Sequence, residues 1–130
     1  MKKIRLEQDL AEAVAKWGWK YHHYGIPTTL KMPDERYIPH FKFYVSGFET
    51  SPFGIEWMRF ELDCQLPELI QTVPHIAFVV QDMDYELSNR DFDVIVPPNY
   101  PATGIRVAMI EHNGAPIELI EFEKQQLSTG

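Results

Sequence analysis

Ile117-Glu118-Leu119-Ile120-Glu121-Phe122-Glu123 stands near the end of this 130-residue chain, and Ile55-Glu56-Trp57-Met58-Arg59-Phe60-Glu61 stands near its middle. The two stretches share isoleucine, glutamate, phenylalanine and glutamate at matching places, and two further positions keep apolar character. A second pair lies upstream: His23-Tyr24-Gly25-Ile26 matches His75-Ile76-Ala77-Phe78 as a histidine, a bulky residue, a small residue and a bulky apolar residue. In each half the histidine opens a unit and the glutamate closes it. Internal repetition of this kind reads as two copies of one structural unit. The second copy is longer, with room for a helix and a further strand. The first is therefore expected to be abbreviated, a loop replacing its helix.

The elements around these motifs follow from local pattern. In the second half His75 to Val80 is apolar and β-branched, a strand, and Asp82 or Asp84 caps a short helix running to about Asn89. Residues 92–96 form a strand ended by Pro97-Pro98, and 99–103 a proline-bearing loop. Residues 105–111 and 116–123 are strands around the hairpin signal Asn113-Gly114. In the first half 19–28 is extended, 30–39 is a loop with Pro33 and Pro39, and strands cover 41–45 and 55–62. Residues 67–72 form one or two helical turns. Leu6, Leu10, Val14 and Trp17 make an apolar stripe that predicts a helix over 5–17, with Gly18 as its C-cap. The expectation is one α+β domain over 1–130: an N-terminal helix (1–18), a first module (19–62), a linker (63–73), a second module (74–123) and a polar tail (124–130).

Composition narrows the classes. Apolar content of 45 % and aromatic content of 13 % belong to a globular chain. A net charge of -7 argues against nucleic-acid binding, which calls for a basic stripe. Cys64 is the one cysteine and has no internal disulfide partner; it reads as a small residue after a strand. The N-terminal stretch turns acidic and polar too soon for a signal peptide, and no apolar run approaches membrane-spanning length. These features place the expected protein in the cytoplasm, away from membranes.

The chemistry follows from strand geometry. Side chains alternate faces, so His75, Ala77 and Val79 share one face, and Glu118, Ile120 and Phe122 share one. Two modules related by a pseudo-twofold axis bring both histidine strands and both glutamate strands into one sheet. His23, His75, Glu56 and Glu118 then converge on a concave face. A single histidine opening a strand is ordinarily a capping or surface residue, and a single strand glutamate ordinarily faces solvent. What points to a ligand set is the coincidence of four in matching positions. A buried carboxylate pair is costly without a cation, and imidazole with carboxylate suits Zn, Ni, Co, Fe(II) or Mn. His22 and His23 are expected on opposite faces, and the match with His75 selects His23. His40 and His112 have no counterpart and read as surface residues. Arg59 and Glu121 occupy equivalent positions on the opposite face and read as rim or packing residues.

With these motifs in order, the chain resembles the vicinal oxygen chelate superfamily, which includes glyoxalase I, bleomycin-resistance proteins, extradiol dioxygenases and methylmalonyl-CoA epimerase. The likeness is carried by 74–80, Asp82-Met83-Asp84, 104–108 and 114–122, and spans about residues 20–123. It implies paired βαβββ modules forming an incomplete barrel around one divalent metal. It also implies ligands at His23, Glu56, His75 and Glu118, a set like that of bacterial glyoxalase I. His23, His75 and Glu118 alone match the facial triad of iron dioxygenases. The short first module departs from the pattern, and no glutathione-site signature is visible.

Three functions are compatible with this reading. One is an isomerase, epimerase or lyase in which the metal holds two vicinal oxygens of a small substrate and Glu56 or Glu118 is the base. The second is an Fe(II) dioxygenase. The third is a small-molecule binding protein without catalysis, for which four ligand-type residues have no use. The N-terminal stripe must be buried, either over the helix-poor first module or on a second copy, and a twofold homodimer is expected.

Overall fold

Residues 4–124 are described by a computed structural model of the chain; residues 1–3 of the expected N-terminal helix segment and 125–130 of the expected tail lie outside them. Eight strands form one curled half-barrel sheet in the order β2-β3-β4-β1-β5-β8-β7-β6. The strands are β1 (Lys20–Pro27), β2 (Arg36–Ile38), β3 (Phe43–Ser46), β4 (Ile55–Phe60), β5 (His75–Val79), β6 (Asp93–Ala102), β7 (Ile105–His112) and β8 (Ala115–Phe122). Three short helices accompany them: α1 (Glu12–Ala15), α2 (Glu68–Thr72) and α3 (Met83–Asn89).

The order contains the repeat. The first four strands run 2-3-4-1 and the last four run 6-7-8-5 when each is read inward from its own edge. β1 pairs with β4 in parallel, as β5 pairs with β8, and β1 meets β5 antiparallel at the seam. The second module is strand, helix, strand, strand, strand. The first has residues 28–35 where the second has α3, and no helix there. The abbreviated first copy expected from the sequence is therefore what the chain builds.

The convex side of the second module holds a core of Trp19, Val80, Met83, Ala108, Ile110 and Leu119. Helix α3 covers it, its N-terminus capped by the Asp82 carboxylate accepting from the Tyr85 amide at 3.0 Å. Glu121 accepts from the Met83 amide at 2.8 Å, and Arg59 forms a two-pronged pair with Glu35 at 2.8 and 2.7 Å. Each of these bonds ties a strand to a neighbouring segment. Asn113 and Gly114 both take positive φ, 50° and 84°, the backbone a two-residue β7–β8 hairpin demands.

Four expectations are corrected. The helix over 5–17 shrinks to Glu12–Ala15. Asp9 is the cause: its carboxylate accepts from the Leu6 amide at 2.7 Å and its own amide bonds back to Leu6, closing a local turn in place of helix. Leu6, Leu10 and Val14 stay exposed, while Ala13 and Trp17 pack on the Trp19 core. The N-terminal segment thus covers the second module, not the first, because the aromatic cluster of Trp17, Trp19, Phe78 and Phe92 lies there. The expected loop at 99–103 is strand: β6 runs to Ala102 through Pro97, Pro98 and Pro101 with three register shifts. An edge strand tolerates prolines that a central one cannot. The expected loop at 30–39 contains the short edge strand β2. Among the described residues no helix is long and apolar enough to cross a membrane.

Leu119 is fully buried, so Leu119→Ala should destabilise the fold by about 2–5 kcal/mol in urea unfolding. Leu62→Ala, at a side chain wholly in solvent, should change stability by no more than about 0.5 kcal/mol.

Candidate metal centre

The seam between the modules sets two parallel rungs of side chains on the concave face. In one rung Glu56 on β4 pairs with Gly25 on β1, and Gly25 pairs with His75 on β5. In the other His23 on β1 pairs with Ala77 on β5, and Ala77 pairs with Glu118 on β8. Each rung is a carboxylate, a small residue and an imidazole, and the pseudo-twofold axis exchanges the two rungs. The small residues are required by space. A Cβ on Gly25 would lie 2.2 Å from Cε1 of His75, a ring that is 1 % exposed. The small residue seen two places after each histidine in the sequence is thus the gap that receives the other module's imidazole.

His23, His75 and Glu118 each offer a donor atom, and these atoms lie within 4.8 Å of one another. His75 Nε2 is 2.9 Å and His23 Nε2 3.5 Å from Glu118 Oε1. Glu56 lines the same cavity but stands outside this three-residue set. His40 and His112 are exposed and do not belong to the set.

His22 does not follow the expected alternation. Tyr21 pairs with Phe78 and His23 with Ala77, so β1 advances two residues where β5 advances one. This bulge turns His22 toward the same cavity as His23, and their Nδ1 atoms approach to 2.7 Å. Period-two reasoning misses it, because a bulge leaves no signature in the sequence here beyond the doubled histidine.

The two carboxylates differ electrostatically. Burial would raise the Glu118 carboxyl, but the imidazoles of His23 and His75 outweigh it and hold the group well below the usual carboxylate range. Burial also dominates at Glu56 and pushes its carboxyl up, with the Glu118 charge adding to the rise and the imidazoles opposing it. At His23 burial is outweighed by Glu118 and Glu56, which raise the ring's affinity for a proton.

A divalent cation fits this donor set. Both ring nitrogens of His75 are buried without a hydrogen-bond partner, although Nε2 lies beside the Glu118 carboxylate. A buried polar atom so placed is costly unless something else satisfies it. Two imidazole nitrogens and a carboxylate oxygen suit a borderline ion such as zinc, nickel, cobalt, iron(II) or manganese. The cluster lines a cavity of about 220 Å³. Beyond the cluster, His22 and Glu56, the walls are mostly apolar, including Phe41, Val45, Met58, Ile70 and Met109, with no lysine or arginine among the described residues.

Paired modules curled around such a face match the arrangement that the resemblance in the sequence implies. Among solved structures the chain is similar to a hypothetical protein of Bacillus halodurans C-125, with a TM-score of 0.63 and 20 % identity over 85 % of this chain and 99 % of that one. It is also similar to methylmalonyl-CoA epimerase from Mycobacterium tuberculosis, with a TM-score of 0.58 and 16 % identity over 81 % of this chain and 89 % of that one. At these identities the likeness is one of fold. The sequence matches no protein-family model and no curated protein.

Gly25→Ala should displace the His75 ring and lower zinc affinity at least about tenfold in calorimetric titration, with the far-ultraviolet circular dichroism unchanged. His75→Ala should remove most bound metal, and His40→Ala none. Equal metal content in the two histidine variants would rule out the assignment.

Proposed function

We propose that the chain is a metal-dependent enzyme of the glyoxalase-like type, an isomerase, epimerase or lyase acting on a small molecule with two neighbouring oxygens. The observation that carries the reading is the division of labour among the polar groups that line the cavity. Three donors, His23, His75 and Glu118, cluster, while one half-buried carboxylate, Glu56, lines the same cavity outside that cluster. The likeness of fold to an epimerase supports the same reaction class.

In this reading His23, His75 and Glu118 hold the ion. When bound, the ion acts as a Lewis acid toward the substrate's oxygens. Glu56 is the base that takes a proton from the adjacent carbon and returns it. Its burial keeps the carboxyl's proton affinity above that of an ordinary glutamate, which suits a group that must both accept and release a proton. Glu118, held low by two imidazoles, suits a permanently ionised ligand. The apolar walls receive the rest of the substrate and keep water from the reacting carbon.

The three-member cluster also favours a second reading, an Fe(II) dioxygenase built on His23, His75 and Glu118. Elemental analysis of protein purified without a metal-affinity step separates the two. Zinc, nickel or cobalt supports the first, iron supports the second, and no metal leaves a binding protein. The cytoplasmic setting is part of the proposal and is supported by the single free, buried thiol of Cys64.

Two further outcomes are expected. Glu56→Gln should retain the metal yet slow solvent-deuterium exchange at the carbon beside the chelating oxygens by about 10²–10⁴-fold, followed by proton NMR over a panel of small 2-hydroxy and 2-oxo compounds. Glu118→Gln should instead lose metal. We also propose a twofold homodimer, supported by exposed Leu6, Leu10 and Val14. Sedimentation velocity should then show a species near twice 15.2 kDa, and a lone monomer would refute it.

A further inference from the structure

We propose that His22 is a positioning residue that sets the tautomer of His23 by accepting its Nδ1 proton, an inference that rests on the metal reading above. The Nδ1 atoms of the two rings lie 2.7 Å apart, a hydrogen-bond distance between two atoms of the same kind. One of them must carry the proton and the other the lone pair. If His22 donates, His23 carries its own proton on Nε2, the atom that faces Glu118 at 3.5 Å, and that atom cannot bind a cation. If His23 donates, its Nε2 presents a lone pair to His75 and Glu118. Only the second arrangement makes His23 a ligand.

The surroundings of His22 hold its ring in place to accept. The ring stacks on Phe48 with an interplanar angle of 9° and a centroid distance of 5.1 Å, and Phe122 borders it at 5.7 Å. The bulge in β1 brings the side chain onto the concave side, where regular pairing would have turned it away. Metal-bound histidines ordinarily donate their second N–H to a carboxylate, a carbonyl or water. Here the acceptor is an uncharged imidazole, so it orients His23 without adding negative charge to a site that already holds Glu118 and Glu56.

The test uses zinc with the full-length chain. His22→Phe preserves a ring to stack on Phe48 and deletes the acceptor. His22→Asn replaces the ring but keeps an oxygen near the place of Nδ1. Zinc affinity by competition titration should fall about 10–100-fold in His22→Phe and recover to within a few-fold of wild type in His22→Asn. Long-range nitrogen–proton NMR of the zinc-loaded wild-type chain should show His23 protonated at Nδ1. Wild-type affinity in His22→Phe, or a His23 protonated at Nε2 in the zinc-loaded chain, would overturn the assignment while leaving the metal site standing. A wild-type chain that takes up no zinc, nickel, cobalt, iron or manganese would remove both together.

Discussion

Everything at the concave face depends on the antiparallel pairing of β1 with β5. That pairing sets His23 across from Ala77 and Gly25 across from His75. Directly opposed residues share a face, and here each opposed pair couples an imidazole to a residue with almost no side chain. Two histidines face to face would collide, and two small residues would leave a void. The alternation lets both rings pass the seam and converge, and the parallel partners β4 and β8 then supply a carboxylate at the far end of each rung. Slipping β1 by one residue would send its whole set to the other face. The site is therefore a property of the seam between modules, and neither module possesses it alone.

Symmetry in the backbone does not carry through to the chemistry. The two carboxylates occupy equivalent places, yet one lies against both imidazoles and the other does not. The cause is local. The β1 strand carries a bulge at His22, the β5 strand has no counterpart to it, and the first module lacks the helix that stiffens the second. Two equal half-sites would bind an ion symmetrically and leave no group free. The broken symmetry separates a carboxylate held between two imidazoles from one that stands outside the cluster.

Much of this was legible in the sequence, for identifiable reasons. The paired motifs around Glu56 and Glu118, and around His23 and His75, predicted two modules and a missing first helix because repetition survives where side chains must meet across a seam. The Asn113-Gly114 turn and the Asp82 cap were readable because each solves a backbone problem with local chemistry. The N-terminal helix was misread because a stripe of Leu6, Leu10, Val14 and Trp17 scores as amphipathic whether or not a partner surface exists for it. The Asp9 turn competes locally, and only Trp17 of the four finds the core. His22 escaped because period-two alternation assumes regular pairing. β6 was cut short because prolines mark a loop unless the strand is known to be an edge, and that is a fact of topology.

The two borders of the sheet bear on how this chain avoids sticking to itself. β6 is rich in proline, with Pro97, Pro98 and Pro101 among ten residues, and proline offers no main-chain donor. The opposite border, β2, is three residues long. Neither presents the long run of free amides and carbonyls that lets a foreign strand zip on. A half-barrel is an open form, yet this one is hemmed at both ends. A companion strand seeking to extend the sheet meets a short rail at one border and an interrupted one at the other.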